Sequence, residues 1–296
     1  MRAPAVTTLL LTGCSGKLGR ELAQLLPAVG RLVAPTRSEL DLTNERAIRD
    51  FVRASAPDVI VNAAAYTAVD RAETERALAH QVNAVAPGIL AHEAARCGAL
   101  LVHFSTDYVF DGAKDEPYTE ADEPRPLNVY GRTKREGELA VERAGCAHLT
   151  LRTSWVYGGA DTHFIATVLR LARGDAPLRM VTDQTGSPTW ARELARATAR
   201  LLADRAAARE HAGTYHLCAQ GHASRHELAV TLLEMARVAG IPVSTSAVLA
   251  ASTTEFPTAA RRPRFCAMST AKIDRVFGIA LPGWQEQLRQ YLHALP

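Results

Sequence analysis

Short apolar runs alternate with stretches of helical periodicity through the first half of the chain. Consecutive apolar residues predict buried strands at 6–11, 31–34, 59–61, 100–104 and 149–151. Between them, apolar positions recur at helical spacing and predict helices at 18–26, 44–54, 75–97 and 128–144, with Pro87 interrupting the third. Strands that alternate with helices in this way predict an α/β fold with a doubly wound parallel sheet.

The second half of the chain is less regular. Helices are predicted at 164–172, 194–208 and 226–239, a strand at 214–217 and a loop at 256–264. Ser224 is a good N-cap for the third of these helices, with Glu227 three residues on as its capping partner. We expect this half to contribute a smaller C-terminal domain.

Composition narrows the class of protein. The 34 basic residues are scattered and nearly balanced by 31 acidic ones, so neither nucleic acid nor a membrane surface is expected as a partner. The five cysteines include no C-x-x-C pair, which argues against a disulfide framework and a zinc site. No signal peptide and no membrane-spanning run of roughly 20 apolar residues is apparent, so we expect a cytoplasmic protein.

A glycine-rich turn follows the first predicted strand. Gly13, Gly16 and Gly19 have the spacing G-x-x-G-x-x-G. In such a turn the first glycine permits a tight exit from the strand, the second a close approach to pyrophosphate, and the third close packing of helix and sheet. The following helix N-terminus offers N–H groups to phosphate. The turn therefore predicts a site for NADPH or NADH.

The residues after the second strand bear on the choice of cofactor. Arg37 suits the additional phosphate of NADP, whereas Glu39 and Asp41 suit the ribose hydroxyls of NAD. A solvated Arg37 without a ligand is the alternative. The preference between the two cofactors stays open.

Tyr130 and Lys134 are four residues apart on a predicted helix, so their side chains share one face. An ammonium near a phenol stabilises the phenolate and lowers the phenol pKa toward the range useful for proton transfer. Ser105 and Thr106 follow the fourth strand, where ligands of doubly wound sheets bind. A surface tyrosine beside a solvated lysine is the alternative. We favour a reductase in which Tyr130 donates the proton.

Longer strings of residues give the chain a family resemblance. It resembles the extended short-chain dehydrogenase/reductases, and within them the dTDP-4-dehydrorhamnose reductase family. Beside the glycine turn, the resemblance rests on N-A-A-A-Y-T-A-V-D from Asn62, S-T-D-Y-V-F-D-G from Ser105, Y-G-R-T-K from Tyr130, R-T-S-W-V-Y-G from Arg152 and D-Q-T-G-S-P-T from Asp183. It implies reduction of the 4-keto group of a dTDP-linked deoxysugar.

The same resemblance implies three overlapping groups of site residues. Catalysis would fall to Thr106, Tyr130 and Lys134. The dinucleotide would be held by Gly13, Ser15, Gly16, Lys17, Leu18, Gly19, Arg37, Asp41, Leu42, Ala63, Ala64 and Ala65, together with Tyr130 and Lys134. The dTDP-sugar would contact Thr106, Asp107, Tyr108, Tyr130, Trp155 and His163. A loop cap is the alternative for Asp107, and a core position is the alternative for Trp155.

Two departures from the family pattern concern the sugar. His163 stands where the family commonly has asparagine, and the segment 262–268 lacks the Asn-Ser of the family's Arg-Pro-x-Asn-Ser-x-Leu string. A sibling reductase acting on another dTDP-4-keto deoxysugar, for example of the dihydrostreptose type, is therefore an alternative. A more distant one is a non-catalytic, dinucleotide-binding regulatory subunit of the methionine adenosyltransferase type.

The resemblance also implies a division of the chain. An NAD(P)-binding domain would comprise 1–153 and about 188–218, and the substrate domain 154–187 and 219–296. A monomer or a homodimer is expected. Some relatives dimerise through magnesium bound by acidic residues; Glu21 is one plausible ligand, but the segment 190–194 offers a single acid beside an arginine. No metal site is predicted.

Overall fold

The structure is a computed structural model and describes residues 6–158 and 163–295. Its strands are β1 Thr8–Thr12, β2 Arg31–Val33, β3 Val59–Asn62, β4 Leu100–Thr106, β5 His148–Thr153, β6 Val156–Tyr157, β7 Leu178–Val181, β8 Thr185–Gly186, β9 Thr189–Trp190, β10 Gly213–His216, β11 Ala223–Ser224 and β12 Val248–Ala251. Its α-helices are α1 Lys17–Leu25, α2 Glu45–Ser55, α3 Val69–Ala72, α4 Arg76–His80, α5 Ala86–Cys97, α6 Val129–Arg143, α7 Phe164–Leu171, α8 Ala191–Ala203, α9 Arg205–Glu210, α10 Arg225–Val238, α11 Ala271–Phe277 and α12 Trp284–His293.

Six of these strands form one parallel sheet in the order β10-β5-β4-β3-β1-β2. The chain adds β2 on one side of β1 and then returns to add β3 on the other side. This reversal opens a crevice beyond the carboxyl ends of β1 and β3, where ligands of such sheets bind. The predicted doubly wound α/β fold is confirmed.

Helices cover both faces of the sheet and bury two separate cores. On one face, α1, α8 and α11 contribute Leu22, Leu201 and Ile273, all nearly or fully buried. On the other, α2 and α5 contribute Ile48 and Leu90. Since each strand is covered twice, its residues are apolar without alternation, which is why the sequence pattern identified the strands correctly.

The predicted helix 75–97 is present as one helical run from Arg76 to Cys97, and its hydrogen-bonding pattern changes along the way. A π-helical turn, Gln81–Val85, separates α4 from α5. Pro87 lies in the first turn of α5, where its missing N–H and fixed φ are tolerated. The helix therefore continues through the proline, and the interruption of the pattern marks the π-helical turn that precedes it.

The predicted helix 194–208 is divided into two helices, α8 and α9. It begins earlier, at Ala191, and ends at Ala203. The Asp204 carboxylate then accepts a hydrogen bond from the Ala207 N–H at 3.0 Å and caps α9. A carboxylate that competes for backbone N–H groups favours a new helix start over continuation. The capping box of Ser224 and Glu227 at the start of α10 is present as predicted.

The remaining elements form a third core beside the sheet. Trp190, Leu228 and Trp284 are buried there with residues of α7 and α12. Three two-stranded ladders pair β6 with β9, β7 with β12 and β8 with β11. Periodicity predicted none of these ladders, because each strand is only two to four residues long.

Candidate active site

A cleft of about 860 Å³ opens at the carboxyl ends of the central strands. Its lining includes every predicted site residue except Gly19, namely Gly13, Ser15, Gly16, Lys17, Leu18, Arg37, Asp41, Leu42, Ala63, Ala64, Ala65, Thr106, Asp107, Tyr108, Tyr130, Lys134, Trp155 and His163. Residues predicted for the cofactor and for the sugar thus share one cavity. Their individual roles stay predictions.

Gly19 lies behind the cleft, against the glycine turn. A Cβ atom on Gly19 would be 1.9 Å from the carbonyl oxygen of Gly13, far inside any tolerated contact. Gly13 itself has φ +75, and a Cβ there would be 2.6 Å from the backbone nitrogen of Ala64. The expectation that Gly19 lets the helix approach the sheet is therefore corrected. Gly19 instead lets α1 approach the turn and hold Gly13 against the loop after β3.

We expect Gly19→Ala to displace the turn, because the new methyl group meets rigid backbone. Overpacking of this kind costs about 1–3 kcal/mol, and the affinity for NADPH should fall with it. Gly174→Ala is the matched control, since its Cβ would find its nearest neighbour at an ordinary 3.6 Å. Thermal unfolding and NADPH fluorescence titration measure both effects. Unchanged NADPH affinity in Gly19→Ala would contradict the role given to this contact.

The beginning of α1 fits a dinucleotide phosphate. Gly16 is its N-cap and provides no side-chain hydrogen bond, so the first N–H groups of the helix lack a capping partner. Lys17 and Leu18 of this first turn line the cleft. Uncapped N–H groups and the positive end of the helix dipole are the groups that bind pyrophosphate. The local structure therefore fits the predicted NAD(P) site.

Arg37 and Asp41 lie at the same end of the cleft. The backbone N–H of Thr43 donates to the Asp41 carboxylate at 2.9 Å and lowers the pKa of that carboxyl, and the charge of Arg37 acts in the same direction. Asp41 is therefore ionised at neutral pH, and one of its carboxylate oxygens accepts a hydrogen bond within its own turn. Both candidate determinants of cofactor preference are thus present.

The position of Tyr130 is fixed by the start of α6. The Asn128 side chain accepts from the Gly131 N–H at 2.8 Å and donates to the Arg261 carbonyl at 2.8 Å. A Cβ on Gly131 would be 2.1 Å from the Tyr108 carbonyl oxygen, so only glycine permits this approach. The helix therefore contacts the turn that follows β4, and the phenol of Tyr130 comes to lie beside Thr106.

The surroundings of Tyr130 disfavour ionisation of its phenol. Burial raises the pKa of Tyr130 above its ordinary value, and a hydrogen bond with Thr106 opposes that shift only in part. Tyr108 packs edge-on against its ring at a centroid distance of 5.8 Å. The lowered phenol pKa expected from the sequence is therefore not found in this structure. The phenol keeps its proton at neutral pH, as a proton donor must.

Lys134 is 1% exposed, and its ammonium contacts the strand next to α6. Nζ donates to the Phe104 carbonyl at 2.6 Å and lies 3.5 Å from Nε2 of His103. Burial lowers the pKa of Lys134 to about 8. The expectation that this ammonium stabilises a Tyr130 phenolate is thus not met: in this structure, β4 holds the ammonium.

A buried polar chain supports Lys134 from below. The Thr12 hydroxyl lies 2.7 Å from the Asn62 side-chain oxygen, and the Asn62 amide nitrogen lies 3.0 Å from Nδ1 of His103. Burial holds the pKa of His103 far below its ordinary value, so the ring is neutral and one of its nitrogens can accept a hydrogen bond. The chain joins β1, β3 and β4 to the catalytic helix.

Asp107 is a buried acceptor that orients its neighbours. Its carboxylate accepts from the Thr106 hydroxyl at 2.9 Å and from the Ser154 hydroxyl at 2.7 Å. Burial raises the pKa of Asp107, and these hydrogen bonds oppose the shift. The Thr106 oxygen also accepts from the Tyr108 N–H at 3.2 Å, so Asp107 and the Tyr108 backbone together orient the Thr106 hydroxyl. Sequence reasoning did not identify Ser154 as part of this arrangement.

Trp155 adopts φ +42, a conformation rare for a bulky side chain, and its ring lines the cleft. The Arg225 guanidinium lies 3.4 Å from the ring centroid and 4.8 Å from that of Phe164. Arg225 also lines the cleft, and sequence reasoning did not identify it. The one available signal was its position directly after the N-cap Ser224, at a helix start.

His163 lines the cleft but is engaged by the protein at both ring nitrogens. Nδ1 accepts from the Ala166 N–H at 3.2 Å and so caps α7. Nε2 lies 3.2 Å from the Tyr291 hydroxyl of α12. These contacts join two helices of the third core, while contact with a sugar stays a prediction.

The considered metal ligand Glu21 forms an ion pair with Arg192 of α8, with Nε and Oε2 3.0 Å apart. Across residues 6–158 and 163–295, no group of three or more His, Cys, Asp or Glu side chains is arranged to hold a metal ion. None of the helices in those same ranges is both long and apolar enough to cross a membrane.

Comparison with known proteins agrees with this geometry. The family described as "RmlD substrate binding domain" matches residues 7–296. The chain is 42% identical over 283 residues to the dTDP-4-dehydrorhamnose reductase of Burkholderia thailandensis, covering 94% of this chain and 95% of that one. It is 41% identical over 291 residues to that of Escherichia coli K12, covering 97% of each.

A solved structure extends the similarity to the fold. The dTDP-4-dehydrorhamnose reductase of Bacillus anthracis in complex with NADP has a TM-score of 0.90 and 33% identity, covering 98% of this chain and 100% of that one. Family match, sequence identity and fold agree over nearly the whole length. The chain therefore belongs to the dTDP-4-dehydrorhamnose reductase family.

Proposed function

We infer that the protein is an NADPH-dependent reductase of the 4-keto group of a dTDP-deoxysugar, with dTDP-4-dehydro-L-rhamnose reduced to dTDP-L-rhamnose. The observation that carries this proposal is the meeting of Thr106, Tyr130 and Lys134 in one cleft with the uncapped start of α1. Family membership and the NADP bound by the relative from Bacillus anthracis support the reaction and the cofactor.

When bound, NADPH would supply the hydride for the sugar carbonyl carbon. The chain's own residues supply the rest. Tyr130 transfers its phenolic proton to the carbonyl oxygen, so the ketone becomes an alcohol and the phenol becomes a phenolate. Thr106 orients that oxygen from a position that Asp107 fixes. Lys134, whose ammonium β4 holds in the cleft, is assigned to the nicotinamide ribose.

For the cofactor, the proposal assigns the glycine turn and the first turn of α1 to the pyrophosphate. The small residues Ala63, Ala64 and Ala65 leave space against the backbone after β3. Arg37 is assigned to the 2′-phosphate of NADPH. This assignment is consistent with its place in the cleft lining and with the NADP of the relative.

The proposal includes an NAD(P)-binding domain of 1–153 with 188–218, and a substrate domain of 154–187 with 219–296. Support comes from the position of β10 in the central sheet and from the separate core around Leu228 and Trp284. The dTDP-sugar is the proposed partner, and the assembly is a monomer or a homodimer in the cytoplasm.

A panel of substrates tests the proposed function. The purified chain is assayed for NADPH oxidation with dTDP-4-dehydro-L-rhamnose and with other dTDP-4-keto deoxysugars, including the dihydrostreptose precursor. We expect the highest kcat/KM with dehydrorhamnose. Turnover of another sugar alongside failure with dehydrorhamnose would instead identify a sibling reductase.

A further inference from the structure

We propose that Arg225 binds the diphosphate of the sugar nucleotide, so that the cleft contains a guanidinium site for the substrate separate from the phosphate site of the cofactor. The inference rests on the proposed function, which requires a dTDP-linked sugar beside Tyr130. It adds the group that would recognise the charged part of that substrate.

The geometry of Arg225 leaves its hydrogen-bonding edge available. Its guanidinium lies over the ring of Trp155, 3.4 Å from the centroid, and near that of Phe164. A guanidinium that stacks on aromatic rings keeps its N–H groups in the plane, directed away from the ring face. Among residues 6–158 and 163–295, the Arg225 side chain forms no ion pair and no hydrogen bond.

The charge of Arg225 therefore lacks a neutralising partner. The nearby carboxylate of Asp107 already accepts from Thr106 and Ser154. Burial lowers the pKa of Arg225, although its charge remains at neutral pH because guanidinium titrates far above that range. A half-buried cation without a partner is costly to the protein, and an anionic ligand would remove that cost.

A neighbouring arginine shows the contrast. The guanidinium of Arg262 donates to both carboxylate oxygens of Asp70, at 2.8 and 2.7 Å. That charge is fully used within the protein. Arg225 has no such acceptor within the described ranges 6–158 and 163–295, so its fork stays available to a ligand.

The place of Arg225 in the same cleft as Tyr130 favours a diphosphate over other anionic ligands. Trp155 and Tyr130 line the same cleft, and a sugar beside them has its anomeric diphosphate one bond from the ring. The fork of a guanidinium matches two phosphate oxygens, and such bidentate bonds are strong and specific. The cofactor pyrophosphate is assigned to the start of α1, so different residues of the cleft lining form the two anion sites.

Isothermal titration of the full chain with dTDP and with thymidine tests the proposal. Arg225→Met should weaken dTDP binding roughly 10- to 100-fold, the value of one charge-assisted pair, and leave thymidine and NADPH affinities unchanged. Arg225→Lys keeps the positive charge but lacks the guanidinium fork, so its affinity for dTDP should lie between those of wild type and Arg225→Met. Arg179→Met is the matched control, because Arg179 also stacks on an aromatic ring, Phe256, but lies outside the cleft lining.

The two failures are distinguishable. If the wild-type chain reduces a dTDP-4-keto sugar while Arg225→Met binds dTDP as tightly as wild type, the diphosphate site is refuted and the proposed function stands. Equal weakening of dTDP and thymidine would mean that Arg225 only supports Trp155, and would also refute the site. If the wild-type chain binds no dTDP and reduces no keto sugar, both proposals fail.

Discussion

Tyr130→Phe is expected to lower kcat by about 10²- to 10⁴-fold, the usual contribution of a positioned general acid. The change removes one oxygen from a buried ring that α6 holds in place, so affinity for NADPH and thermal stability should stay close to wild type. Steady-state NADPH oxidation with the keto sugar measures the loss of turnover. Fluorescence titration checks that cofactor binding persists.

Tyr215→Phe is the matched control for that variant. Its hydroxyl donates to the His211 carbonyl at 2.7 Å, and the residue lies outside the cleft lining. Loss of this hydroxyl should leave kcat unchanged. If Tyr130→Phe kept near-normal turnover, the assignment of the proton donor would be wrong. A chain that binds NADPH but reduces no keto sugar, with or without Tyr130, would favour the regulatory-subunit alternative.

Arg152→Met is expected to destabilise the fold by about 3 kcal/mol, because it leaves a buried carboxylate without its main partner. Arg152 Nε and a terminal nitrogen donate to the two oxygens of Glu138 at 2.9 and 2.8 Å, joining β5 to the catalytic helix α6. Both side chains are under 5% exposed. Arg135 remains as a second, partly exposed partner of Glu138, so the loss of stability should lie at the lower end of the range of about 3–5 kcal/mol for a broken buried pair.

Two companion variants separate the ion pair from its surroundings. Arg152→Met combined with Glu138→Leu should recover much of the stability, because two apolar side chains replace two desolvated charges. Arg46→Met is the surface control. The Arg46 side chain is 92% exposed and pairs with Asp50, so its loss should change stability by less than about 0.5 kcal/mol. Urea unfolding measures all three. A double variant as unstable as Arg152→Met would contradict this explanation.

The buried pair of Arg152 and Glu138 also predicts how the stability difference between wild type and Arg152→Met changes with pH. Burial alone would raise the pKa of Glu138, but the hydrogen bonds and charge of Arg152 outweigh it and hold the pKa below its ordinary 4.5. A carboxyl whose pKa is lower when folded stabilises the fold above the unfolded value, and that contribution is lost as pH falls through the folded one. The gap between wild type and Arg152→Met should therefore narrow below pH 4.5.

Prediction from the sequence succeeded where the physical signal is local. Strands buried on both faces are continuously apolar, and the cap at Ser224 can be recognised from Glu227 three residues on. Thr106 could be identified from its place at the end of β4, and Tyr130 and Lys134 from their spacing of four on α6 together with the family resemblance. The cleft brings all three together, since parallel strands end at one edge of the sheet.

Features that depend on distant contacts could not be predicted. Arg225 lies in the cleft because β11 pairs with β8, where Ser224 stands opposite Thr185. The ammonium of Lys134 contacts the Phe104 carbonyl, thirty residues away. No periodicity records these approaches, because they are set by packing of elements far apart in the chain.

The central claim is that Tyr130 protonates the 4-oxygen of a dTDP-sugar, and a crystal structure of the ternary complex with NADP⁺ and dTDP-L-rhamnose tests it most directly. The account predicts the Tyr130 phenol oxygen at hydrogen-bond distance from the sugar 4-oxygen, about 2.6–3.2 Å, with Thr106 contacting the same atom and the pyrophosphate at the start of α1. A sugar whose 4-oxygen lies away from Tyr130, beside another proton donor, would contradict it.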